Sequence, residues 1–296
     1  MMSDYGTTKQ EQQSVWKVLT RKSAASYMKE ETVKVPVHYR KIGVEAFKSN
    51  IKMETLMLPN GMLEIGADAF RHSKLLREAA LPHSIWRIGS GCFAECPALR
   101  VAYIPNSLEC ISEDLFKEDR RLQKVLFTKD NRTERIKKNA FYECISLERI
   151  LLPPKLTYIG DRAFYRCKAL KKVRFQEGLK RIGKDAFYFC GIEELELPES
   201  LEVLEERAFF KCMYLTEVRL PTHIRRIEKW VFHGCSRLKV LEIRHDPEYI
   251  GEWIINRAAR IRCYQGSKVD RYCQESGFTV EYIDGEQREE SEGRGD

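Results

Sequence analysis

The chain of 296 residues lacks the features of a membrane-spanning or secreted protein. No run approaches the roughly 18 apolar residues of a membrane-spanning helix. Residues 1–31 contain neither the continuous apolar core nor the small-residue cleavage site of a secretory signal peptide. The 10 cysteines are too sparse for a disulfide-stabilised scaffold. We therefore expect a cytoplasmic protein that has no membrane association and lies in a reducing compartment.

Catalytic and cofactor motifs are also missing. The sequence contains no GxSxG, P-loop, GxGxxG or HExxH pattern, and its six histidines fall at unrelated places. No CxxC pair or Cys/His cluster has the spacing of a zinc site. The sequence predicts a protein that is not an enzyme and that binds no cofactor or metal.

Charge is abundant and slightly unbalanced. The net charge is +7, and residues 284–296 alone hold six acidic and two basic residues, so the remaining chain is more basic than the total implies. A basic body attracts acidic partners or nucleic acid. Because acids and bases are interleaved throughout, a mixed, solvated surface is the simpler interpretation. Nucleic-acid association remains an alternative function.

A phenylalanine recurs along the chain every 22 to 25 residues. An aliphatic residue precedes each phenylalanine by five positions, often with a glycine after it, and Ile255 takes the place of the phenylalanine one unit after the last. The phenylalanines are Phe47, Phe70, Phe93, Phe116, Phe141, Phe164, Phe187, Phe209 and Phe232. A fixed period of this length is typical of a solenoid.

A second block of each unit begins at a leucine and alternates between apolar and polar residues. It usually ends in an aliphatic residue and a proline, as in Leu58-Pro59 and Leu152-Pro153. The alternation indicates a strand, and the proline marks its end because proline cannot donate to a ladder. One unit cannot bury its apolar face, so the units must stack. We predict a single right-handed curved solenoid, mainly β, with a parallel concave sheet of eleven strands within residues 33–263 and short convex strands or turns.

The pattern Ile-Gly-x-x-Ala-Phe-x-x-Cys-x-x-Leu is complete in residues 159–170. With the strand that ends in proline, it resembles the BspA-type leucine-rich repeats over roughly residues 33–283. The resemblance implies a leucine-rich-repeat solenoid that binds proteins, often as an adhesin at bacterial and protist surfaces. A cell-surface adhesin is therefore a further alternative, which requires an export signal.

The two ends complete the predicted organisation. Residues 1–32 are expected to form an N-terminal helical cap, with a helix over residues 9–31. Residues 264–283 resemble the C-terminal cap of the family, with a helix over residues 268–276, and residues 284–296 are expected to be a disordered acidic tail. We expect a monomer.

The candidate binding site is the outward column of the concave sheet. Outward side chains lie between two inward aliphatic residues in each predicted strand. The first half of the column is apolar and is the predicted contact centre for another protein, whereas the second half carries alternating charge and is its predicted polar flank. The contact centre is Met57, Tyr103, Leu126 and Leu151, and the flank is Arg174, Glu196, Arg219 and Glu242.

Two further columns have competing interpretations. Six cysteines follow the phenylalanine by three residues, and they indicate either small packed side chains or a redox-sensitive ladder. An arginine precedes the aliphatic residue in alternate units, which predicts a basic stripe without an accompanying aromatic stacking platform. The cysteines are Cys96, Cys144, Cys167, Cys190, Cys212 and Cys235, and the arginines are Arg87, Arg135, Arg181 and Arg226.

Overall fold

The computed structural model describes residues 16–128 and 130–283. The chain forms a parallel-strand solenoid of about 12 turns, so the predicted fold class is confirmed. Each turn has three sides. The strands that precede the proline form one sheet, which we call the front sheet. The short strands at the Ile-Gly segment form a ladder, which we call the back ladder. We call the segment around the recurring phenylalanine the phenylalanine turn.

The front sheet contains one strand more at its end than the sequence predicted, and one predicted strand is missing. The additional strand, Thr279–Tyr282, pairs in parallel with Arg260–Cys263 and lies inside the predicted C-terminal cap. Most neighbouring strands pair with residues one unit apart, and the pairing is interrupted between Thr55–Met57 and Glu78–Ala80. The front strands are Thr32–Lys34, Thr55–Met57, Glu78–Ala80, Val101–Ile104, Lys124–Phe127, Arg149–Leu151, Lys172–Arg174, Glu217–Arg219, Val240–Glu242, Arg260–Cys263 and Thr279–Tyr282.

The missing strand belongs to the turn around Leu195. Only an isolated bridge between Lys172 and Glu194 joins this turn to the preceding strand. The unit between Phe187 and Phe209 is one residue shorter than the common length, and the chain compensates with a tight approach at Gly191. A Cβ at Gly191 would lie 2.2 Å from the Lys168 carbonyl oxygen, so only glycine fits.

The back ladder is made of short strands, most of them two residues long, at the segment where glycine follows the aliphatic residue. That glycine lets successive units approach closely, because a Cβ at Gly89 would lie 2.2 Å from the Ala67 nitrogen. The back strands are Lys17–Leu19, Tyr39–Ile42, Glu64–Ile65, Arg87–Ile88, Cys110–Ile111, Arg135–Ile136, Tyr158–Ile159, Arg181–Ile182, Val203–Leu204, Arg226–Ile227 and Tyr249–Ile250.

The phenylalanine turn is a third backbone ladder without regular strands. The Phe164 amide donates to the Ala186 carbonyl of the next unit at 2.8 Å, and equivalent bonds link the other units. Residues two positions before and two after the phenylalanine have positive φ, as with Arg162 (φ 53°) and Arg166 (φ 59°). Such angles are unfavourable for residues other than glycine. The hydrogen bonds between units hold the backbone in this conformation.

The core is built from columns of identical side chains. The nine phenylalanines stack with neighbouring centroids 5.0 to 5.8 Å apart and rings within 12° of parallel. Beside them, each column cysteine donates its thiol to a phenylalanine carbonyl of the previous unit, at 3.2 Å for Cys167 and 3.0 Å for Cys190. Burial raises the pKa of both thiols, so they stay protonated. The structure favours the packing interpretation of this column over the redox one.

The N-terminal helix prediction is wrong over most of the residues that the structure describes. A strand, Lys17–Leu19, extends the back ladder, and it is followed by a short α-helix, Arg21–Ala24, and a 3₁₀ turn, Ala25–Tyr27. The strand forms because it buries Leu19 against the first repeat, and a Thr20/Ser23 capping box starts the helix only after it. Residues 9–15 of the predicted helix lie outside the described residues.

The C-terminal helix prediction is confirmed. The helix Lys268–Ser276 begins at Ser267, whose hydroxyl accepts from the Asp270 amide at 3.1 Å, and ends at Gly277 with φ 70°. The predicted acidic tail, residues 284–296, lies outside the described residues.

Asp119 interrupts the cysteine column. Its carboxyl is fully buried, one oxygen accepts from the Cys96 amide at 2.7 Å, and the other has no hydrogen-bond partner among the described residues. Burial raises the pKa of Asp119 well above its ordinary value. The Asp119 carboxyl of the folded protein therefore keeps its proton at a pH, above about 4, at which the unfolded chain has released it.

We predict that Asp119→Asn stabilises the protein at neutral pH. Folding takes up a proton at Asp119, so the stability that this residue contributes falls as the pH rises above about 4. The total loss is about 1.4 kcal/mol for each unit by which folding raises the Asp119 pKa. The variant should exceed the parent in free energy of unfolding by at least about 1 kcal/mol near pH 7, and by less as the pH approaches 4. Urea denaturation at a series of pH values measures this difference.

The control for this experiment is Glu109→Gln, which removes an exposed carboxyl ten residues before Asp119. Its free energy of unfolding should follow that of the parent at every pH. An Asp119→Asn variant whose stability advantage does not grow with pH would show that Asp119 is ionised in the folded protein.

We also predict that Phe164→Ala destabilises the protein more than Phe47→Ala does. Phe164 stacks on a phenylalanine on each side, whereas Phe47 stacks on Phe70 alone among the described residues. A central truncation should lower the free energy of unfolding by about 3–5 kcal/mol. Guanidinium denaturation followed by circular dichroism compares the two variants, and equal losses would contradict the view that the ring stack couples neighbouring units.

Candidate functional site

The predicted contact centre lies on the outer face of the front sheet. Met57, Tyr103, Leu126 and Leu151 all point outward, with 42% to 62% of each residue exposed. Leu126 pairs with Tyr103 in register, and Leu151 follows the residue that pairs with Val125. Adjacent strands lie about 4.8 Å apart, so the side chains of Tyr103, Leu126 and Leu151 lie side by side. We call these three residues the apolar patch. The strand with Ala80 separates Met57 from it.

The predicted polar flank is only partly exposed. Arg174, Glu196 and Arg219 point to solvent, as expected. Glu242 was predicted to be an outward contact residue, and this prediction is wrong because only 5% of the residue is exposed. Its side chain leaves the sheet on the outer face, but neighbouring arginines cover it.

Three guanidinium groups converge on Glu242. Its carboxylate accepts from Arg244 Nε at 2.7 Å and from Arg262 Nη1 at 3.0 Å, and Arg219 Nε lies 3.4 Å away. Burial alone would raise the Glu242 pKa, but the hydrogen bonds from Arg262 and Arg244 outweigh it and hold the pKa below its ordinary value. Glu242 therefore ties neighbouring strands together and is unavailable to a partner.

A second column of outward side chains lies beside the first, and the sequence pattern did not lead us to predict it. Lys124, Arg149 and Lys172 start three adjacent front strands and are paired in register, so they form a basic cluster next to the apolar patch. The same column turns acidic at Glu194 and Glu217. The signal was present, because these residues precede the predicted outward positions by two and a strand repeats its outward face every second residue.

A depression of about 660 Å³ lies where the apolar patch meets the basic cluster. Its floor is apolar, and most of the surrounding side chains are cationic. Its volume lies within the range of pockets that hold a ligand or a partner's side chain. The lining residues are Glu148, Arg149, Ile150, Leu151, Ala169, Lys171, Lys172 and Arg174.

The predicted basic stripe lies on the back ladder, and two of its four arginines form ion pairs. Arg181 forms an ion pair with Glu205, and Arg226 Nη2 lies 2.9 Å from a Glu228 oxygen. Arg226 also lies over the Tyr249 ring, 4.7 Å from its centroid. These local pairs weaken the field that a stripe of unpaired arginines would present to nucleic acid.

Neither a metal site nor a membrane span was found in the part of the chain that the structure describes. No group of three or more His, Cys, Asp or Glu side chains there has the arrangement of metal ligands. None of the helices in residues 16–128 and 130–283 has the length and apolar character needed to cross a bilayer.

Comparisons with solved structures identify bacterial leucine-rich-repeat proteins. A protein from Eubacterium ventriosum shares 24% identity at a TM-score of 0.52, over 57% of this chain and 44% of that one. A protein from Bacteroides ovatus shares 23% identity over 86% of this chain and 83% of that one, at a TM-score of 0.46. The pneumococcal vaccine antigen PcpA shares 20% identity over 87% and 80%, at a TM-score of 0.47. No curated protein matches significantly.

The sequence pattern gives the family directly. The family described as "BspA type Leucine rich repeat region" matches residues 21–133 and 134–261, with six copies. These ranges cover most of the described solenoid, including the front strands that carry the apolar patch. The chain therefore belongs to the BspA-type leucine-rich-repeat family.

Proposed function

We propose that this protein is a non-enzymatic scaffold that binds another protein on the outer face of its front sheet. Proteins of this family and fold are typically scaffolds without catalytic activity. The observation that supports the proposal is the apolar patch, in which an aromatic and two aliphatic side chains lie side by side in solvent on adjacent strands. Contiguous exposed apolar surface of this kind marks interaction sites.

The surroundings of the patch suggest the chemistry of the partner. Leu151 forms part of the apolar floor of the depression, while Arg149, Lys172 and Arg174 stand around it. An apolar side chain of the partner would fill the floor. Acidic side chains beside it would meet Arg149 and Arg174, because Lys172 Nζ already lies 2.8 Å from a Glu194 oxygen. Beyond Arg174 the sheet presents Glu196, which repels an acidic segment. This change of sign would fix the direction in which the partner lies along the sheet.

The composition of the patch suits a recognition hot spot. A few central apolar and aromatic residues usually supply most of the binding energy of an interface, and charged residues around them exclude water and set the orientation. Tyr103 and Leu151 occupy the two ends of the apolar patch, so changing both disrupts it across its whole width.

The alternatives differ in measurable ways. A cell-surface adhesin would use the same face, and it requires export from the cell. A nucleic-acid-binding protein would show binding that falls steeply with salt concentration. The cytoplasmic location and the monomeric state remain predictions.

We predict that Tyr103→Asp combined with Leu151→Asp abolishes capture of the partner while the fold is retained. Both side chains are exposed, so the substitutions create no buried charge, and each carboxylate would have to be desolvated in the complex. Loss of two hot-spot residues should weaken binding by at least about 4 kcal/mol. Affinity capture from extracts of the source cell, treated with nuclease and compared quantitatively between variants, measures the effect.

The matched control is Val44→Asp combined with Ile51→Asp. These two exposed aliphatic residues lie outside the front strands, and the control introduces the same charge change. We expect it to capture the partner as well as the parent does. Unchanged capture by the Tyr103/Leu151 variant, or equal loss in the control, would refute the assignment to the front sheet.

A further inference from the structure

A ribbon of stacked aromatic side chains runs along the outside of the phenylalanine turns. Tyr142, Tyr165, Tyr188 and Phe210 follow the core phenylalanines by one residue, with neighbouring centroids 4.6 to 5.3 Å apart and rings within 14° of parallel. All four side chains are half-buried. Because the rings cover one another's faces, they present their edges, and the three tyrosines therefore present a row of phenol groups.

An arginine pair flanks this ribbon. Asp185, only 3% exposed, lies between Arg162 and Arg207 in successive units. Arg162 Nε donates to one Asp185 oxygen at 3.4 Å, and Arg207 Nε lies 2.9 Å from the other. One carboxylate thus holds two guanidinium groups in place but balances the charge of only one.

The two features enclose a common groove. Its volume is about 330 Å³, and it is lined by Tyr142, Tyr165, Tyr188, Arg162, Arg207 and Asp185. Unlike the depression on the front sheet, most of its lining surface is polar. The terminal nitrogens of Arg162 contact no acceptor in residues 16–128 and 130–283, so their N–H groups are available to a ligand.

We propose that this groove binds a tetrahedral oxyanion ester, which is a phosphate or sulfate group carried on an organic molecule. Guanidinium groups bind such oxyanions with paired, charge-assisted hydrogen bonds. The phenols add neutral donors beside the guanidinium groups, and the aromatic edges offer apolar contact to the organic part of the ester. The site is on a different side of the solenoid from the front sheet and does not depend on the function proposed above.

The protonation states support an anionic ligand. Burial raises the pKa of Tyr142 and of Tyr165, so both phenols remain protonated donors at neutral pH. Two other cations near the groove are already paired. Arg166 Nη1 lies 3.2 Å from a Glu143 oxygen, and Lys184 Nζ lies 3.0 Å from a Glu206 oxygen.

Arg207 is the more constrained of the two arginines. Its Nη2 lies 3.3 Å from the second Glu206 oxygen, in addition to the Asp185 contact. Arg162 has Asp185 as its sole ion-pair partner among the described residues, and 47% of its side chain is exposed. We therefore assign Arg162 the larger share of ligand binding and Arg207 a supporting share.

Calorimetric titration of the full chain with phenyl phosphate, phenyl sulfate and benzoate at constant ionic strength tests the proposal. We expect saturable binding of at least one tetrahedral ester and weaker binding of the planar carboxylate. Arg162→Gln combined with Arg207→Gln should weaken ester binding by about tenfold or more, because hydrogen bonds to a charged group are lost. If only phenyl phosphate or only phenyl sulfate binds, the result identifies which ester the groove accepts.

The matched control is Arg87→Gln combined with Arg237→Gln, which removes the same charge from exposed sites away from the groove. It should bind the ester like the parent. Tyr165→Phe provides a second test, since it removes the central phenol but keeps the ring stack, and it should weaken binding even if the arginine variant does not fold. The proposal would be overturned if benzoate bound as well as the esters, or if the control variant lost as much binding as the arginine variant. It would also be overturned if Tyr165→Phe and the arginine variant both bound the ester like the parent.

Discussion

The stacking of one phenylalanine on the next sets the repeat distance of the whole molecule. The ring centroids lie 5.0 to 5.8 Å apart, close to the spacing of about 4.8 Å that hydrogen-bonded strands require. Ring stack, front sheet and back ladder can therefore share one rise per turn. Units that differ in length must absorb the difference between these columns. In the 25-residue unit, Asn131 donates to the Pro105 carbonyl at 2.9 Å and Thr133 to the Leu108 carbonyl at 2.8 Å, so these two buried side chains tie the longer segment to the preceding unit.

The inside of the solenoid was predictable and the surface only in part. Each inward position uses the same kind of residue in every unit, so its burial could be inferred from recurrence alone. Glu242 shows the limit of this reasoning, because an outward direction does not make a side chain accessible when long neighbours such as Arg262 fold over it. The first strand shows another limit. Trp16, Leu19 and Met28 fit a helical spacing, but pairing with the first repeat stabilises residues 17–19 more as a strand.

The two candidate surfaces divide the molecule by chemistry. The front sheet combines exposed aliphatic and aromatic side chains with lysine and arginine, and it suits a partner with both apolar and acidic groups. The groove along the tyrosine ribbon is polar, and its guanidinium groups are held by a buried carboxylate. Neither surface was encoded by a single motif. Each arises because residues 22 to 25 positions apart become neighbours once the units stack.

The shortened unit gives the solenoid an uneven resistance to bending. On the back ladder, Arg181 and Ile182 pair with Val203 and Leu204 without interruption, while the front sheet is joined at the same level by a single bridge at Glu194. At this level a bending force would therefore open the front side before the back side. The apolar patch and the arginine-clamped Glu242 lie on opposite sides of this weak point. The regular strand pairing is also interrupted between Thr55–Met57 and Glu78–Ala80 on the front sheet, and between Arg87–Ile88 and Cys110–Ile111 on the back ladder. The solenoid can therefore bend at more than one level, and a long partner lying along it would respond to the angle at each.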